Sequence, residues 1–122
     1  MAYAEWIAVS IEVSSSLGTV GIRNAVLQWG KFYRYNDQDA ELSIAQIDDI
    51  NVTAGNPQWI ASCGRESASS GTQGSFDCYD GNVKMGSFSW NDPWASGAVN
   101  TFVFTPASDS YAGTVIGAAS TS

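Results

Sequence analysis

Hydrophobic and polar residues alternate with a period of two along much of the chain. Between Tyr3 and Val13 most odd positions carry large apolar side chains, whereas the even positions carry Ala, Ser, Glu and one Trp. This pattern predicts a strand with one buried face and places Trp6 on the opposite face. An indole in that position is either covered by a loop or exposed for binding.

The same alternation recurs in shorter segments downstream. Seven more strands are predicted: Thr19–Asn24, Val26–Tyr35, Gln58–Cys63, Gly74–Tyr79, Val83–Trp90, Asn100–Thr105 and Tyr111–Gly117. Asp80-Gly81-Asn82 supplies the turn of a hairpin, and Asp39–Asp49 fits neither period and is compatible with one short helical turn. Short strands with turn signals about every ten residues predict an all-β fold, an antiparallel β-sandwich in one domain over residues 1–122.

Composition excludes several classes of protein. The chain has 122 residues, with 12 Asp and Glu against five Lys and Arg, no His, and a formal charge of −7. Without histidine there is no Ser-His-Asp triad, no Cys-His dyad and no HExxH zinc site. The negative charge disfavours nucleic acid and anionic lipid surfaces, so a membrane partner is expected to be zwitterionic or neutral.

The carboxylates offer weak alternatives for catalysis and metal binding. A glycosidase needs two of them, and the candidates are Glu41, Asp48, Asp49 and Glu66, but their spacing singles out no acid and base. Alternate oxygen side chains over residues 36–41 resemble part of a calcium loop, without the central Gly and distal Glu of an EF-hand. We therefore expect no enzyme, no metal site and no cofactor.

The N-terminus and the cysteines bear on the compartment. No segment approaches the roughly 18 consecutive apolar residues of a membrane-spanning helix. The N-terminal segment carries an early Glu and lacks a basic region, so we expect no signal peptide and a cytoplasmic or non-classically secreted protein. Cys63 and Cys78 are predicted to be buried free thiols, with one disulfide as the alternative.

Aromatic residues are the most informative chemistry in the sequence. Five Trp are present, of which Trp29 precedes a Phe and two Tyr, and Trp90 and Trp94 bracket a short Asn-Asp-Pro turn. Such rings suit a membrane interface, and beside carboxylates they hold quaternary ammonium or ethanolamine groups through cation–π contacts. The alternatives are a Trp-rich sandwich core and a soluble lectin-like module that stacks sugar rings on its indoles.

Several ordered motifs resemble the aegerolysins, a family of small acidic proteins. Ala2–Trp6 is similar to the AYAQW opening of that family, and Trp29–Tyr33 is similar to its WGK segment. The other matching segments, which extend the resemblance to about residue 105, are Asp37–Glu41 (DKDAE), Ser62–Arg65 (CGR), Gly71–Asp77 (GTxGxFD) and Trp90–Trp94 (WDCPW).

This resemblance implies a fold, a function and a set of site residues. It implies an actinoporin-like β-sandwich that is peripheral on sphingolipid-containing membranes, with sphingomyelin–cholesterol domains or ceramide phosphoethanolamine as the lipid. It also implies a membrane-attack-complex/perforin partner in a two-component pore-forming cytolysin. The lipid-binding residues carried over by motif are Trp6, Trp29, Tyr33, Asp39, Trp90 and Trp94.

The sequence departs from the family pattern at identifiable positions. Ser70 replaces an acidic residue before the Gly-Thr pair, Asp92 replaces the Cys of DCPW, and Cys78 replaces an aliphatic residue. Family members also continue through another strand where this chain ends. The resemblance therefore implies either a lost edge strand or one that another chain supplies, as in a homodimer through the C-terminal edge.

Overall fold

The computed structural model describes residues 6–13, 18–64, 71–92, 101–107 and 117–120. Its elements are β1 (Trp6–Ile11), β2 (Val20–Trp29), β3 (Lys31–Arg34), β4 (Asp37–Leu42), α1 (Ile44–Asp48), β5 (Asn51–Val52), β6 (Gln58–Cys63), β7 (Thr72–Asp80), β8 (Val83–Asp92), β9 (Thr101–Pro106) and β10 (Gly117–Ser120). Sheet 1 has the order β10-β1-β6-β3-β4, and sheet 2 has the order β5-β2-β7-β8-β9. All of these pairs are antiparallel.

The hydrophobic core lies between the two sheets. Ile7 and Val9 of β1 are buried in it, as the alternation in the sequence predicts, and they belong to one cluster with Phe76, Phe88 and Trp90 of sheet 2. Burying an apolar side chain of this size contributes about 1.5–3 kcal/mol. The predicted antiparallel β-sandwich is confirmed.

The chain passes from sheet 2 to sheet 1 at Gly30. The sequence predicts one strand over Val26–Tyr35, and this is wrong, because β2 ends at Trp29 and β3 begins at Lys31 in the other sheet. Gly30 has φ of 91°, where side chains are disfavoured, and a Cβ there would collide with the carbonyl oxygen of Cys63. Only glycine fits this close crossing of the backbones.

Strand β2 contains a bulge where the sequence suggests a break. Asn24 has φ of 57°, and the register with β7 shifts between Arg23 and Val26. The Asp48 carboxylate accepts a hydrogen bond from the Ala25 amide at 2.8 Å, which satisfies a backbone donor at the bulge. The strand therefore continues through the bulge instead of ending before it.

The ambiguous segment Asp39–Asp49 contains most of a strand, β4, and a short helix, α1. Ser43 and Gln46 form a capping box, in which the Gln46 amide donates to Ser43 Oγ at 3.1 Å and the Ser43 amide donates to Gln46 Oε1 at 2.8 Å. The predicted helical turn is confirmed as α1. Strand β4 was not predicted, because its Asp and Glu residues are uncommon in strands. No helix in the described part of the chain is long and apolar enough to cross a bilayer.

The two cysteines are buried free thiols, which confirms the prediction. They belong to two separate clusters of buried residues. Cys78 packs in the core between the sheets, whereas Cys63 packs with Ala8, Tyr33 and Ala61. Burial, followed by the nearby charge of Asp77, raises the pKa of the Cys78 thiol to about 11. This thiol is therefore protonated at neutral pH.

The C-terminal strand lies at one edge of sheet 1. β10 pairs with β1, with Ala118 opposite Ala8 and Ser120 opposite Trp6. A homodimer through this edge stays a prediction.

Candidate functional site

The outer face of sheet 1 has a floor of small side chains with aromatic rings at either end. Residues that face each other across antiparallel strands point to the same side of the sheet. The register sets Ala8 opposite Ala61, and Ala61 opposite Tyr33. Trp6 lies two residues before Ala8, and Trp59 lies two residues before Ala61. Because β1 and β6 are antiparallel, these two indoles bound the alanine floor at opposite ends.

A groove of about 350 Å³ occupies this face. We call it the aromatic groove, and its lining residues are Trp6, Ala8, Tyr33, Tyr35, Asn36, Gln38 and Trp59. Its volume lies near the lower end of the range of small-molecule sites, about 300–1,000 Å³. The groove is therefore large enough for a small polar headgroup and not for a whole lipid.

One wall of the groove is a stacked pair of rings. The ring centroids of Tyr35 and Trp59 are 4.0 Å apart, and the ring planes differ by 7°. Tyr35 is 46% exposed and Trp59 is 42% exposed. Stacking fixes both rings without burying them, so the wall is formed in the absence of a ligand.

Two amide side chains add hydrogen-bonding groups to the aromatic lining. Asn36 lies in the turn between β3 and β4 with φ of 70°, a left-handed conformation that Asn tolerates better than most residues. Gln38 hydrogen-bonds to the hydroxyl of Tyr33. Each amide carries both donors and an acceptor, so the groove offers polar contacts at the end where these residues lie.

Tyr33 is a neutral phenol in this environment. Its side chain is only 4% exposed. Burial raises its pKa to about 12, with smaller raising effects from Cys63 and Tyr35, and the hydrogen bond with Gln38 acts in the opposite direction. The hydroxyl is therefore protonated at neutral pH, and its hydrogen bond joins the buried ring to Gln38 in the groove lining.

Carboxylates lie on the strand beside the groove. Asp37, Asp39 and Glu41 are exposed on β4, the edge strand of sheet 1. Aromatic faces attract organic cations, and nearby negative charge adds to that attraction. No group of three or more His, Cys, Asp or Glu within the described ranges is arranged to hold a metal ion. The arrangement suits an organic cation better than an anion.

A family comparison agrees with the motifs noted in the sequence. Residues 4–122 match the model of the Aegerolysin family. The chain belongs to the aegerolysin family. Curated relatives include Asp-hemolysin of Aspergillus fumigatus, 45% identical over 95 residues that make up 78% of this chain and 68% of that protein. Ostreolysin A6 of Pleurotus ostreatus is 36% identical over 99 residues, 79% of this chain and 71% of that protein.

Solved aegerolysin-like structures share the fold. The RahU protein, crystallised in complex with a TRIS molecule, is 74% identical with a TM-score of 0.86, over 88% of this chain and 78% of RahU. IP-1A from Alcaligenes faecalis is 37% identical with a TM-score of 0.80, over 88% of this chain and 74% of IP-1A.

The structure of this aegerolysin brings only some of the expected lipid-binding residues together. Trp6 and Tyr33 line the aromatic groove. Asp39 is exposed on neighbouring β4. Trp29 is 60% exposed, but it lies opposite Gln73 on the outer face of sheet 2. Trp94 lies outside the described residues.

Trp90 is not a surface residue of this aegerolysin, and its expected place among the lipid-facing residues is wrong. Its side chain is 2% exposed. The ring meets Phe32 edge-to-face at a centroid distance of 5.8 Å, and it packs close to Phe76 and Phe88. Gly74 makes room for it, because a Cβ there would lie 2.7 Å from the indole. The parity of β8 directs Trp90 into the core, where its large ring fills the space between the sheets.

Sequence reasoning missed the far wall of the groove. The sequence patterns place Trp59 in a strand without indicating a site, and they do not single out Tyr35, Asn36 or Gln38 as lipid-binding residues. Alternation within β6 carried a signal, because Trp59, Ala61 and Cys63 share one face and Ile60 lies on the other. The stacking of Tyr35 on Trp59 joins residues 24 positions apart, and local patterns do not reveal such a contact.

Proposed function

We propose that this aegerolysin is a non-enzymatic protein that binds sphingolipid-containing membranes. The observation that carries the proposal is the aromatic groove, in which four aromatic side chains and two amides surround about 350 Å³ on an outer face of the sandwich. Family membership and the hemolysin name of a relative support a membrane target. In this proposal the groove binds the headgroup.

The groove chemistry favours the cationic end of a zwitterionic headgroup. An ammonium group gains cation–π attraction from Trp and Tyr faces. The primary ammonium of phosphoethanolamine also donates N–H hydrogen bonds to the amide oxygens of Asn36 and Gln38, whereas the choline of sphingomyelin has no N–H group and relies on the aromatic faces. The formal charge of −7 is compatible with a zwitterionic surface. The RahU complex contains TRIS, an amino alcohol, and this supports amine binding by a protein 74% identical to this one.

Exposed Trp29 and partly buried Trp6 supply contact with the membrane interface. Trp6 opens β1 and pairs with Cys63, which in turn pairs with Lys31 at the start of β3. Trp29 precedes Lys31 by two residues, so both indoles lie at the same end of the sandwich. Tryptophan favours the boundary between headgroups and acyl chains, because its ring is apolar and its N–H is polar. In the proposed bound state this end faces the bilayer.

The lipid preference is tested by co-sedimentation. Vesicles of sphingomyelin with cholesterol, ceramide phosphoethanolamine with cholesterol, and phosphatidylcholine alone are incubated with the protein at physiological salt. We expect one or both sphingolipid mixtures to retain the protein. If none of the three vesicle preparations retains it, the proposal is refuted. Trp59→Leu should weaken retention, whereas Val83→Ala, at an exposed apolar residue outside the groove lining, serves as the matched control.

The finer proposal is that this chain is the targeting component of a two-component cytolysin. Its partner is a membrane-attack-complex/perforin protein that inserts the pore. Dye-loaded vesicles that retain the chain should stay intact until a perforin-like protein is added. If this chain alone causes leakage at concentrations that saturate the vesicles, the proposal that a separate partner forms the pore is refuted.

A lectin-like function is the second candidate, and one surface favours it. Pairing across sheet 2 sets Trp29 opposite Gln73, Gln73 opposite Asn91, and Asn91 opposite Thr101. This row presents one exposed indole beside amide and hydroxyl groups, which suit the stacking and hydrogen bonding of a sugar ring. Binding to an array of lipid-free glycans, lost in Trp29→Ala and kept in Trp59→Leu, would favour this function over lipid binding.

A further inference from the structure

A chain of buried hydrogen bonds connects the two sheets. Trp90 Nε1 lies 3.0 Å from Thr72 Oγ1, and Thr72 Oγ1 lies 2.5 Å from Ser62 Oγ. Ser62 Oγ lies 2.8 Å from the carbonyl oxygen of Lys31. Trp90 and Thr72 belong to sheet 2, whereas Ser62 and Lys31 belong to sheet 1. The chain therefore crosses the interior of the sandwich.

The direction of every bond in this chain follows from its two ends. The indole N–H of Trp90 can only donate, and the carbonyl of Lys31 can only accept. Thr72 therefore accepts from Trp90 and donates to Ser62, and Ser62 donates to Lys31. Both hydroxyls use their single proton, and their exposures are 1% and 0%. Removal of either hydroxyl leaves a buried polar partner without its bond, which is costly in an interior of low dielectric constant.

The chain ends at the point where the backbone changes sheets. Its last acceptor is the carbonyl of Lys31, the residue directly after Gly30. A Cβ built at Gly30 would lie 3.0 Å from the Cβ of Thr72, so Thr72 also packs against this crossing. The crossing joins Trp29, exposed on sheet 2, to the strand that carries Tyr33 into the aromatic groove. Thr72 and Ser62 therefore contact the backbone segment that directly follows Trp29 and leads to the strand of Tyr33.

We infer that Thr72 and Ser62 are positioning residues for membrane binding, which fix Trp29 relative to the Trp6 end of the groove. The expected effect on vesicle binding rests on the proposed function. The expected effect on the position of Trp29 does not, because it is measured on the protein without lipid. An indole whose position is already fixed loses less conformational entropy on binding than a mobile one. Loss of either hydroxyl should therefore weaken vesicle retention, because Trp29 is then less well positioned. Neither hydroxyl touches the ligand in this mechanism.

Four variants test the inference. Thr72→Val keeps the shape of the side chain and removes the hydroxyl, Thr72→Ser restores the hydroxyl, and Ser62→Ala breaks the next bond. Thr105→Val makes the same change at an exposed site on β9 and is the control. The proteins are labelled with 5-fluorotryptophan, and the Trp29 signal in the ¹⁹F NMR spectrum is identified by its absence in Trp29→Phe.

Thr72→Val and Ser62→Ala should shift or broaden the Trp29 signal and weaken vesicle retention about tenfold, equivalent to 1.4 kcal/mol. Thr72→Ser should restore both values, and Thr105→Val should leave both unchanged. A folded Thr72→Val protein with the wild-type Trp29 signal and wild-type retention would overturn the inference. If Thr72→Val does not fold, the same two measurements on Ser62→Ala decide it.

The two proposals fail in different ways. If wild-type protein binds no vesicle while Thr72→Val still displaces the Trp29 signal, the membrane function is refuted and the positioning of Trp29 stands. If vesicles retain the wild-type protein while the Trp29 signal is the same in every hydroxyl variant, the positioning role is refuted and the membrane function stands.

Discussion

Trp59 of β6 lies flat against Tyr35, with 4.0 Å between the ring centroids and 7° between the ring planes. Neither ring belongs to the core, and both are more than two-fifths exposed. An exposed aromatic pair gains little from burial alone, so its mutual stacking accounts for much of its order. The pair gives the groove a rigid wall before any ligand arrives.

A double-mutant cycle on this pair should reveal direct coupling. Tyr35→Ala and Trp59→Ala should each lower the free energy of unfolding, and the double variant should lose less than the sum of the two. We expect a coupling energy of about 0.5–1.5 kcal/mol, measured by urea denaturation at pH 7. Strict additivity would show that the two rings do not stabilise each other.

Trp90 should behave as a core residue. Trp90→Ala removes a ring that packs against three other aromatic residues, and it should lower the free energy of unfolding by about 3–5 kcal/mol. Trp29→Ala, at an indole that is 60% exposed, should cost far less stability. Thermal and urea unfolding of the two variants, measured side by side, check this difference. Equal losses would contradict the burial of Trp90.

Alkaline pH should destabilise the protein through Tyr33. Its pKa rises from 10.0 to about 12 on folding, so the folded state holds the phenolic proton more tightly. The resulting stability is fully present below pH 10 and is lost as pH rises from 10 towards 12, on the order of 2 kcal/mol in total. Tyr33→Phe should flatten this part of the profile, measured by urea unfolding from pH 8 to 11.5. An unchanged slope in the variant would refute the assignment.

Acid pH should destabilise the protein partly through Asp77. Burial acts to raise its pKa, but hydrogen bonds from Ser87 and Asn24 and the charge of Lys84 outweigh it, and the pKa falls below 3.8. The folded state therefore favours the carboxylate, and its contribution is present above the unfolded pKa and is lost as pH falls through the folded pKa. Asp77→Asn should be less stable than wild type at pH 7, and the gap should narrow towards pH 3. A constant gap in urea unfolding across that range would contradict the prediction.

The alternation of residues predicted the fold better than it predicted the site. Ile7 and Val9 are in the core because period-two patterning follows the pleat of a strand. The break at Gly30 escaped prediction because the constraint comes from Cys63 and Thr72, which are distant in sequence. Family motifs include Trp6 and Tyr33, which line the aromatic groove. They also include Trp90, whose side chain points into the core because of its position in the alternation of β8. Trp59 and Gln38 belong to the groove through contacts between strands, which no local segment records.

The strands beneath the aromatic groove have consequences for its hydrogen-exchange behaviour. β1, β6 and β3 each have a paired strand on both sides, since β10 and β4 form the edges of sheet 1. Their amides should therefore exchange with solvent only through large unfolding events, whereas amides at the edges exchange through local fraying. A ligand that enters the groove meets a floor that is already ordered. Binding raises the free energy of these large unfolding events, so it should slow exchange at Ala8 and Ala61 by the factor by which it stabilises the fold, whereas any slowing at the β3–β4 turn around Asn36 reports direct contact with the ligand.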